Sequence, residues 1–478
     1  MVSNNKVMSN LIWRFFERAG AQIVTFIVSL VLARILMPAD YGIVSLIMVF
    51  TTILQVFVDS GLGNALIQKK DADDVDYSTV FFANIAFCVV LYSIMFIGAP
   101  FIAKLYNNSD LTLYIRVLSI TILISGVKNV QQAYVSKNML FKKFFFATIG
   151  GTITAAIVGI AMALTGFGVW ALIAQQLINL TIDTVVLWFT VKWRPKATFS
   201  FERLKKLYSY GWKLLAASVL DTVYNNCRQL IIGVLYSEND LAFYNKGKLF
   251  PEVIVANVNT SIDSVLLPAM SQIQDEKSKI KSATRRAITM STYVMAPLMM
   301  GLAFVAPALI ELILTEKWLP CVPYLQIFCI TYMFYPIHTA NLNAIKAIGR
   351  SDLFLKLEFA KKAVGIVLVL STMWFGVMTM AYSLIGVSFV NQIINTSPNK
   401  KLLDYGYKEQ LKDILPSILL AVFMGVCISL ISLIPMPNIV LLIVQVICGA
   451  IIYIAGSIVL KIEAFTYLWS VVKRFIKK

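Results

Sequence analysis

A single histidine, His338, in 478 residues excludes metal centres built on imidazole clusters. Cysteine is nearly as sparse: Cys88, Cys227, Cys321, Cys329, Cys427 and Cys448 lie singly, with no CxxC pair, so neither a disulfide framework nor a zinc site is expected. G-x-S-x-G, Walker and HExxH motifs are all missing, which leaves no catalytic motif and rules out ATP as a direct energy source within this chain. Charge is scarce too. Asp, Glu, Lys and Arg make up 14% of the residues, where a soluble domain carries roughly 25%. What is abundant is apolar, at 59% of the residues, and this composition excludes an ordinary soluble protein.

The apolar residues are gathered into runs. Fourteen segments stand between clusters of charge, Gly, Pro and Asn: 11–36, 43–58, 80–103, 111–133, 144–164, 169–191, 214–235, 242–267, 288–308, 322–342, 359–375, 377–394, 414–434 and 439–460. Runs of this length match the roughly 20 residues that span a bilayer as helix, and they lack the period-two alternation of a membrane barrel. The fold class expected is therefore an all-α polytopic membrane protein of about fourteen helices. The first run is too long for a signal peptide and has no small-residue cleavage site, so it is expected to remain as the first span.

Lys and Arg outnumber Asp and Glu by 42 to 25, and their placement explains the excess. One alternate set of connections, with both termini, holds 33 of the 42; the other set holds Arg34, Lys104 and Lys317. That asymmetry predicts both termini in the cytoplasm and leaves no charge argument for nucleic acid. Connections such as 165–168, 237–240 and 435–438 are short, so function is expected inside the helix bundle rather than in a soluble domain.

Landmarks recur at a long period. MPADYG at 37–42 is echoed by SENDLAFY at 237–244, and GFGVWA at 166–171 by WFGV at 374–377, with offsets of 200 and 208 between Asp40 and Asp240 and between Gly168 and Gly376. Six segments separate the copies, so both copies enter the membrane in the same sense. The expected architecture is two six-helix lobes, 1–203 and 204–398, related by a pseudo-two-fold along the membrane normal, followed by two extra helices and a tail at 399–478.

Six cations remain within segments or at their edges: Arg116, Lys128, Lys213, Arg228, Lys246 and Lys248. Each would cost about 2.5–3.5 kcal/mol at a lipid-facing helix centre, so each should face the bundle, a wet cavity or the interface. Arg116, Lys213, Lys246 and Lys248 lie near helix ends, where snorkelling suffices. Arg228 and Lys128 lie deeper and favour a functional reading. Polar stripes at helical spacing accompany them: Arg14, Arg18, Gln22, Thr25 and Ser29; Thr121, Ser125, Lys128 and Gln132; and Asp221, Asn225 and Arg228. Interhelical hydrogen bonding is one reading of such stripes. The other is a positive lumen for an anion, with Arg14, Arg18, Gln22, Lys128, Asn225 and Arg228 as its lining and Arg as the natural partner of phosphate oxygens. Asp221, Lys248 and Glu252 are candidates for ion coupling or a salt bridge, the second being the default for a Lys–Glu pair four residues apart. His338 is expected to pack between helices.

The stretches LARILMPADYG at 32–42, DSGLGNALIQ at 59–68, GFGVWAL at 166–172, LPAMS at 267–271 and AIGRSDL at 347–353 resemble, in order and spacing, the Wzx-type polysaccharide and O-antigen flippases of the multidrug/oligosaccharidyl-lipid/polysaccharide (MOP) exporter superfamily. The resemblance covers nearly the whole chain. It implies a two-lobed transporter in the bacterial inner membrane, with a cationic central cavity and no cofactor. The cargo it implies is an undecaprenyl-diphosphate-linked oligosaccharide, moved from the cytoplasmic to the outer leaflet, with membrane lipids and polymerase or export machinery as further partners. Two alternatives stand beside it. A cation-coupled drug antiporter would favour an acidic cavity, and a membrane polysaccharide polymerase would need a large outer loop.

Overall fold

The computed structural model describes residues 4–59 and 62–476, without the side chains of residues 4–12, of positions 14, 15, 18, 210, 211, 213 and 214, and of most residues beyond 470. The first seven helices are α1 (Asn4–Ile35), α2 (Pro38–Asp59), α3 (Leu62–Gln68), α4 (Asp74–Leu105), α5 (Leu111–Leu118), α6 (Ile120–Lys137) and α7 (Phe141–Leu164). Then come α8 (Val169–Thr190), α9 (Phe201–Leu235), α10 (Glu238–Ser271) and α11 (Lys277–Leu314), and a short 3-10 turn at Glu316–Cys321. The series ends with α12 (Val322–Tyr332), α13 (Tyr335–Ala347), α14 (Ser351–Thr372), α15 (Val377–Leu403), α16 (Tyr407–Ile431), α17 (Asn438–Val459) and α18 (Glu463–Ile476).

Every one of the fourteen apolar segments falls on helix, and no strand occurs among the described residues. Ten helical stretches among those residues are long and apolar enough to cross a membrane by themselves. The count of fourteen is not reached on that measure, for identifiable reasons. In α1 only Ala19–Ile35 is a shorter apolar run. The second half of α9 carries Asp221, Asn225, Asn226, Arg228 and Gln229, and α14 carries Lys356, Glu358, Lys361 and Lys362. The tenth segment is divided at Met333–Phe334 into α12 and α13, of 11 and 13 residues, each shorter than the roughly 20 needed. The fourth is divided as well, at Ser119 between α5 and α6, but as one stretch, Leu111–Lys137, it is among the ten.

The long-period landmarks have matching local structure. Asp40 accepts the Met37 amide on Oδ2 at 2.9 Å, opening α2, and Asp240 accepts the Ser237 amide on Oδ2 at 3.2 Å, opening α10. In each case a carboxylate satisfies a backbone donor that the helix start leaves over. Gly168 and Gly376 stand at φ of 52° and 102° immediately before α8 and α15, a region that side chains other than glycine avoid.

The chain forms two compact units, Met1–Ala242 and Phe243–Lys478, so the packing groups α9 with the first unit and α16 to α18 with the second. In the first, α2 and the start of α10 approach so closely that a Cβ on Gly42 would lie 1.9 Å from the Glu238 carbonyl oxygen. Asn108 Nδ2 donates to Glu238 Oε1 at 2.7 Å beside it. At one end of this unit Tyr77, Phe81, Trp188 and Trp193 pack ring on ring, and the Asp73–Asp76 capping box that starts α4 is held by Arg203 from the first turn of α9, 2.5 Å from Asp73. The Arg203 hydrogen bond, followed by the Asp76 amide, lowers the Asp73 carboxyl to about 2. A depressed carboxyl stabilises the fold above its unfolded value near 3.8, and that contribution is lost as pH falls through about 2.

The second unit is held by buried amides. Asn341 Nδ2 donates to Gln410 Oε1 at 2.9 Å, Gln410 Nε2 returns a bond to Asn341 Oδ1 at 2.8 Å, and Asn399 Nδ2 reaches the same oxygen at 2.7 Å, tying α13, α15 and α16 together. His338 lies 3.3 Å from Asn395 Nδ2 in the same interface. Lys246 does not snorkel; it is buried with its ammonium 5.4 Å from the centre of the Trp318 ring.

The two kinds of glycine environment predict opposite outcomes. Gly42→Ala should lower the stability of the detergent-purified protein by about 1–3 kcal/mol, because the Glu238 backbone cannot yield without parting the helices. Gly98→Ala, in α4 with nothing within 4 Å of the added methyl, should raise it by up to about 1 kcal/mol through helix propensity. Thermal unfolding of the two variants checks both signs.

Candidate functional site

Three polar stripes meet inside the first unit. The stripe on α6, Thr121, Ser125, Lys128 and Gln132, has the spacing expected from the sequence. Opposite it, α2 contributes Thr51, Gln55 and Asp59, and α8 contributes Gln176, Asn179 and Asp183, each set repeating at three- and four-residue steps. Together they line a cavity of about 410 Å³. The α2 and α8 stripes carry in the sequence the same signal, polar residues at helical spacing on apolar helices, and are not among the residues expected to line a site.

Lys128 is not a free cation. Its Nζ lies 2.5 Å from Asp183 Oδ2, and both side chains are only 12% exposed. Asp183 Oδ1 is buried and without a hydrogen-bond partner, so this carboxylate can accept a further donor on the side turned away from Lys128. Asp59 Oδ1 accepts from Gln55 Nε2 and from Asn129 Nδ2, each at 3.1 Å. Asn129 in turn accepts from Asn84 Nδ2 at 3.3 Å, which fixes Asp59 to both α4 and α6. Among the described residues the cavity therefore holds one cation and two carboxylates. Its polar surface, in a bundle whose outside carries exposed Phe101, Leu105, Phe189 and Leu433, is a place where water and a polar solute can reside.

Among the other expected site residues, those with described side chains lie elsewhere. Arg14 and Arg18 have side chains outside the described residues; Gln22, on the same helix face, is exposed. On α9, Asn225 Nδ2 donates to Asp221 Oδ2 at 3.2 Å and Arg228 is half-buried. Lys248 Nζ stands 3.3 Å from Glu252 Oε1 on α10. Of the four residues expected to line an anion site whose side chains are described, Gln22, Lys128, Asn225 and Arg228, Lys128 is the one found in this cavity.

The pair in the cavity can be tested by cycle. Lys128→Met should cost about 3–5 kcal/mol by stranding a buried carboxylate, whereas Lys128→Met with Asp183→Leu should recover most of that loss. Melting of the single and double variants in detergent reads the difference. A loss in the double variant equal to the sum of the Lys128→Met and Asp183→Leu losses would mean that the ion pair carries no coupling.

Residues 31–323, more than half of the chain, match the family described as "Polysaccharide biosynthesis protein". Among relatives, the chain is 26% identical over 306 residues to the "Teichuronic acid biosynthesis protein TuaB" of Bacillus subtilis (strain 168), a match that spans 63% of each chain. It is 23% identical over 373 residues to the "Lipopolysaccharide biosynthesis protein WzxC" of Escherichia coli (strain K12), covering 76% of this chain and 75% of that one. Among solved structures, "Lipid II flippase MurJ, inward closed conformation" superposes with a TM-score of 0.71 at 16% identity, over 92% of this chain and 98% of that one. An inward-facing multidrug resistance MATE family transporter of the MOP superfamily gives 0.61 at 14%, over 80% and 94%. The chain therefore belongs to the polysaccharide biosynthesis protein family, and it shares the helical fold of these two solved structures.

Proposed function

We propose that this protein is a flippase that carries an undecaprenyl-diphosphate-linked oligosaccharide from the cytoplasmic to the outer leaflet of the bacterial inner membrane, by alternating access of its two lobes. The observation that carries the reading is a polar cavity lined by Lys128, inside an apolar bundle that belongs to a polysaccharide biosynthesis family. A diphosphate cannot enter hydrocarbon without prohibitive loss of hydration. A wet cavity removes that barrier for the head group while the polyprenyl tail stays in lipid. Relatives named for teichuronic acid and lipopolysaccharide biosynthesis support the class of cargo.

In this mechanism Lys128 exchanges partners. The resting pair with Asp183 keeps the ammonium desolvated and positioned, and a phosphate oxygen displaces the carboxylate when the head group enters. Arg14 and Arg18 on α1 and Arg228 on α9 supply the remaining positive charge, with Gln22 and Asn225 as neutral donors. The Arg and Lys excess in alternate connections supports cytoplasmic termini and entry from that side. Polymerase or export machinery is the partner that receives the product.

A second reading, a cation-coupled antiporter of the same superfamily, draws on one specific observation: among the described residues, the first-unit cavity holds two carboxylates, Asp59 and Asp183, to one lysine. Such a site suits a cation exchanged against Lys128 better than it suits an anion alone.

Cells lacking the protein separate the two. Under the flippase reading they accumulate single repeat units on the undecaprenyl carrier, shielded from an impermeant probe applied outside; an unchanged carrier pool would place the antiporter first. Arg228→Ala and Lys128→Gln, at normal expression, should each reduce export about 10- to 100-fold, the size of one lost charge-assisted contact. Normal export in the Arg18→Ala, Arg228→Ala double variant would end the role given to those arginines.

A further inference from the structure

A second polar cavity, of about 330 Å³, lies within the second unit between α10 and α13. Its lining includes Asn259, Thr260 and Asp263 from one helix and Thr339, Asn343 and Lys346 from the other. Asn343 is only 1% exposed, yet neither its Nδ2 nor its Oδ1 has a hydrogen-bond partner, and Asn259 Oδ1 is buried and unpaired as well. Two residues away on the same helix, Asn341 is fully buried and bonded at both amide atoms. The packing here can therefore satisfy an amide, and the one left unsatisfied faces the cavity. Leaving such a group unpaired carries the full cost of its desolvation, which a ligand with the complementary groups would recover.

The chemistry offered is mixed. Asn343 presents a donor and an acceptor side by side. The Thr339 and Thr260 hydroxyls, both on the cavity wall, donate to the Tyr335 and Ala256 carbonyl oxygens, at 3.2 and 2.6 Å, which leaves their oxygens as acceptors. Asp263 accepts, and Lys346, held over the Phe354 ring at 4.7 Å, donates. A phosphate would find acceptors facing it, and an apolar molecule would strand both amides. Adjacent sugar hydroxyls, each a donor and an acceptor, match an array in which the two alternate. The volume sits at the small end of ligand sites, about the size for one or two rings.

From this geometry we infer that the α10–α13 cavity is a carbohydrate subsite: it binds a sugar ring of the lipid-linked cargo through its hydroxyls, with Asn343 as the specificity-determining residue. The inference rests on the flippase reading and adds to it a place where the sugar, rather than the diphosphate, is recognised.

Binding to the full-length protein in nanodiscs tests it, by native mass spectrometry with two probes. One is undecaprenyl diphosphate without sugar; the other is the lipid-linked oligosaccharide extracted from cells lacking the protein. Wild type should bind the second more tightly, and Asn343→Leu should weaken that binding about ten-fold, equivalent to about 1.4 kcal/mol, while leaving the sugar-free probe unchanged. Thr339→Val, which removes one hydroxyl and no buried amide, should weaken it in the same selective way, and it carries the test should the Leu variant fail to fold. Equal loss for both probes, no loss for either, or equal wild-type affinity for the two overturns the subsite while the flippase reading stands. Failure of wild type to bind either probe removes the flippase reading, and the subsite with it.

Discussion

The structure depends on one constraint: inside hydrocarbon no backbone donor or acceptor can go unpaired, so the chain is helix wherever it is apolar. That requirement passes from the backbone to the side chains. Once helices are fixed, each polar group on them must find a partner inside the bundle or a pocket of water. The two units meet this demand differently. The second answers with closed amide pairing among Asn341, Asn399 and Gln410; the first answers with charge, setting Lys128 against Asp183 and suspending Asp59 from Gln55 and Asn129.

The two solutions differ in what they permit. A reciprocal pair of amides is neutral and short-ranged, so it fixes three helices at little electrostatic cost and has nothing to offer an ion. An ion pair with one carboxylate oxygen left unbonded is held more weakly than its distance suggests, because removing two charges from water offsets much of their attraction. It is therefore the more exchangeable of the two, and the first unit, not the amide core of the second, is where a charged solute can trade places with a protein group.

Much of this was legible from the amino-acid order. Apolar run length is a local property, and all fourteen runs became helix. The short α3, the turn at Glu316–Cys321 and α18 lay between or beyond the runs and left no comparable mark, and the breaks at Ser119 and Met333–Phe334 interrupt runs that read as continuous. The site was half legible. Thr121 to Gln132 was recognisable as a stripe, but the stripes on α1, α6 and α9 share the same spacing, and spacing says which residues share a face without saying what that face meets. The partner of Lys128 is 55 residues away on another helix. Only the tertiary arrangement distinguishes a lysine that is already engaged from one that waits for a ligand.

The carboxylates at positions 40 and 240 close their helix starts in the same way, each three residues after the amide it accepts. Helix starts leave backbone donors over in any fold, and a carboxylate three residues on is a general way to satisfy one. Each of these caps closes within four residues, so each helix start is set by its own short stretch of chain and does not depend on what packs around it.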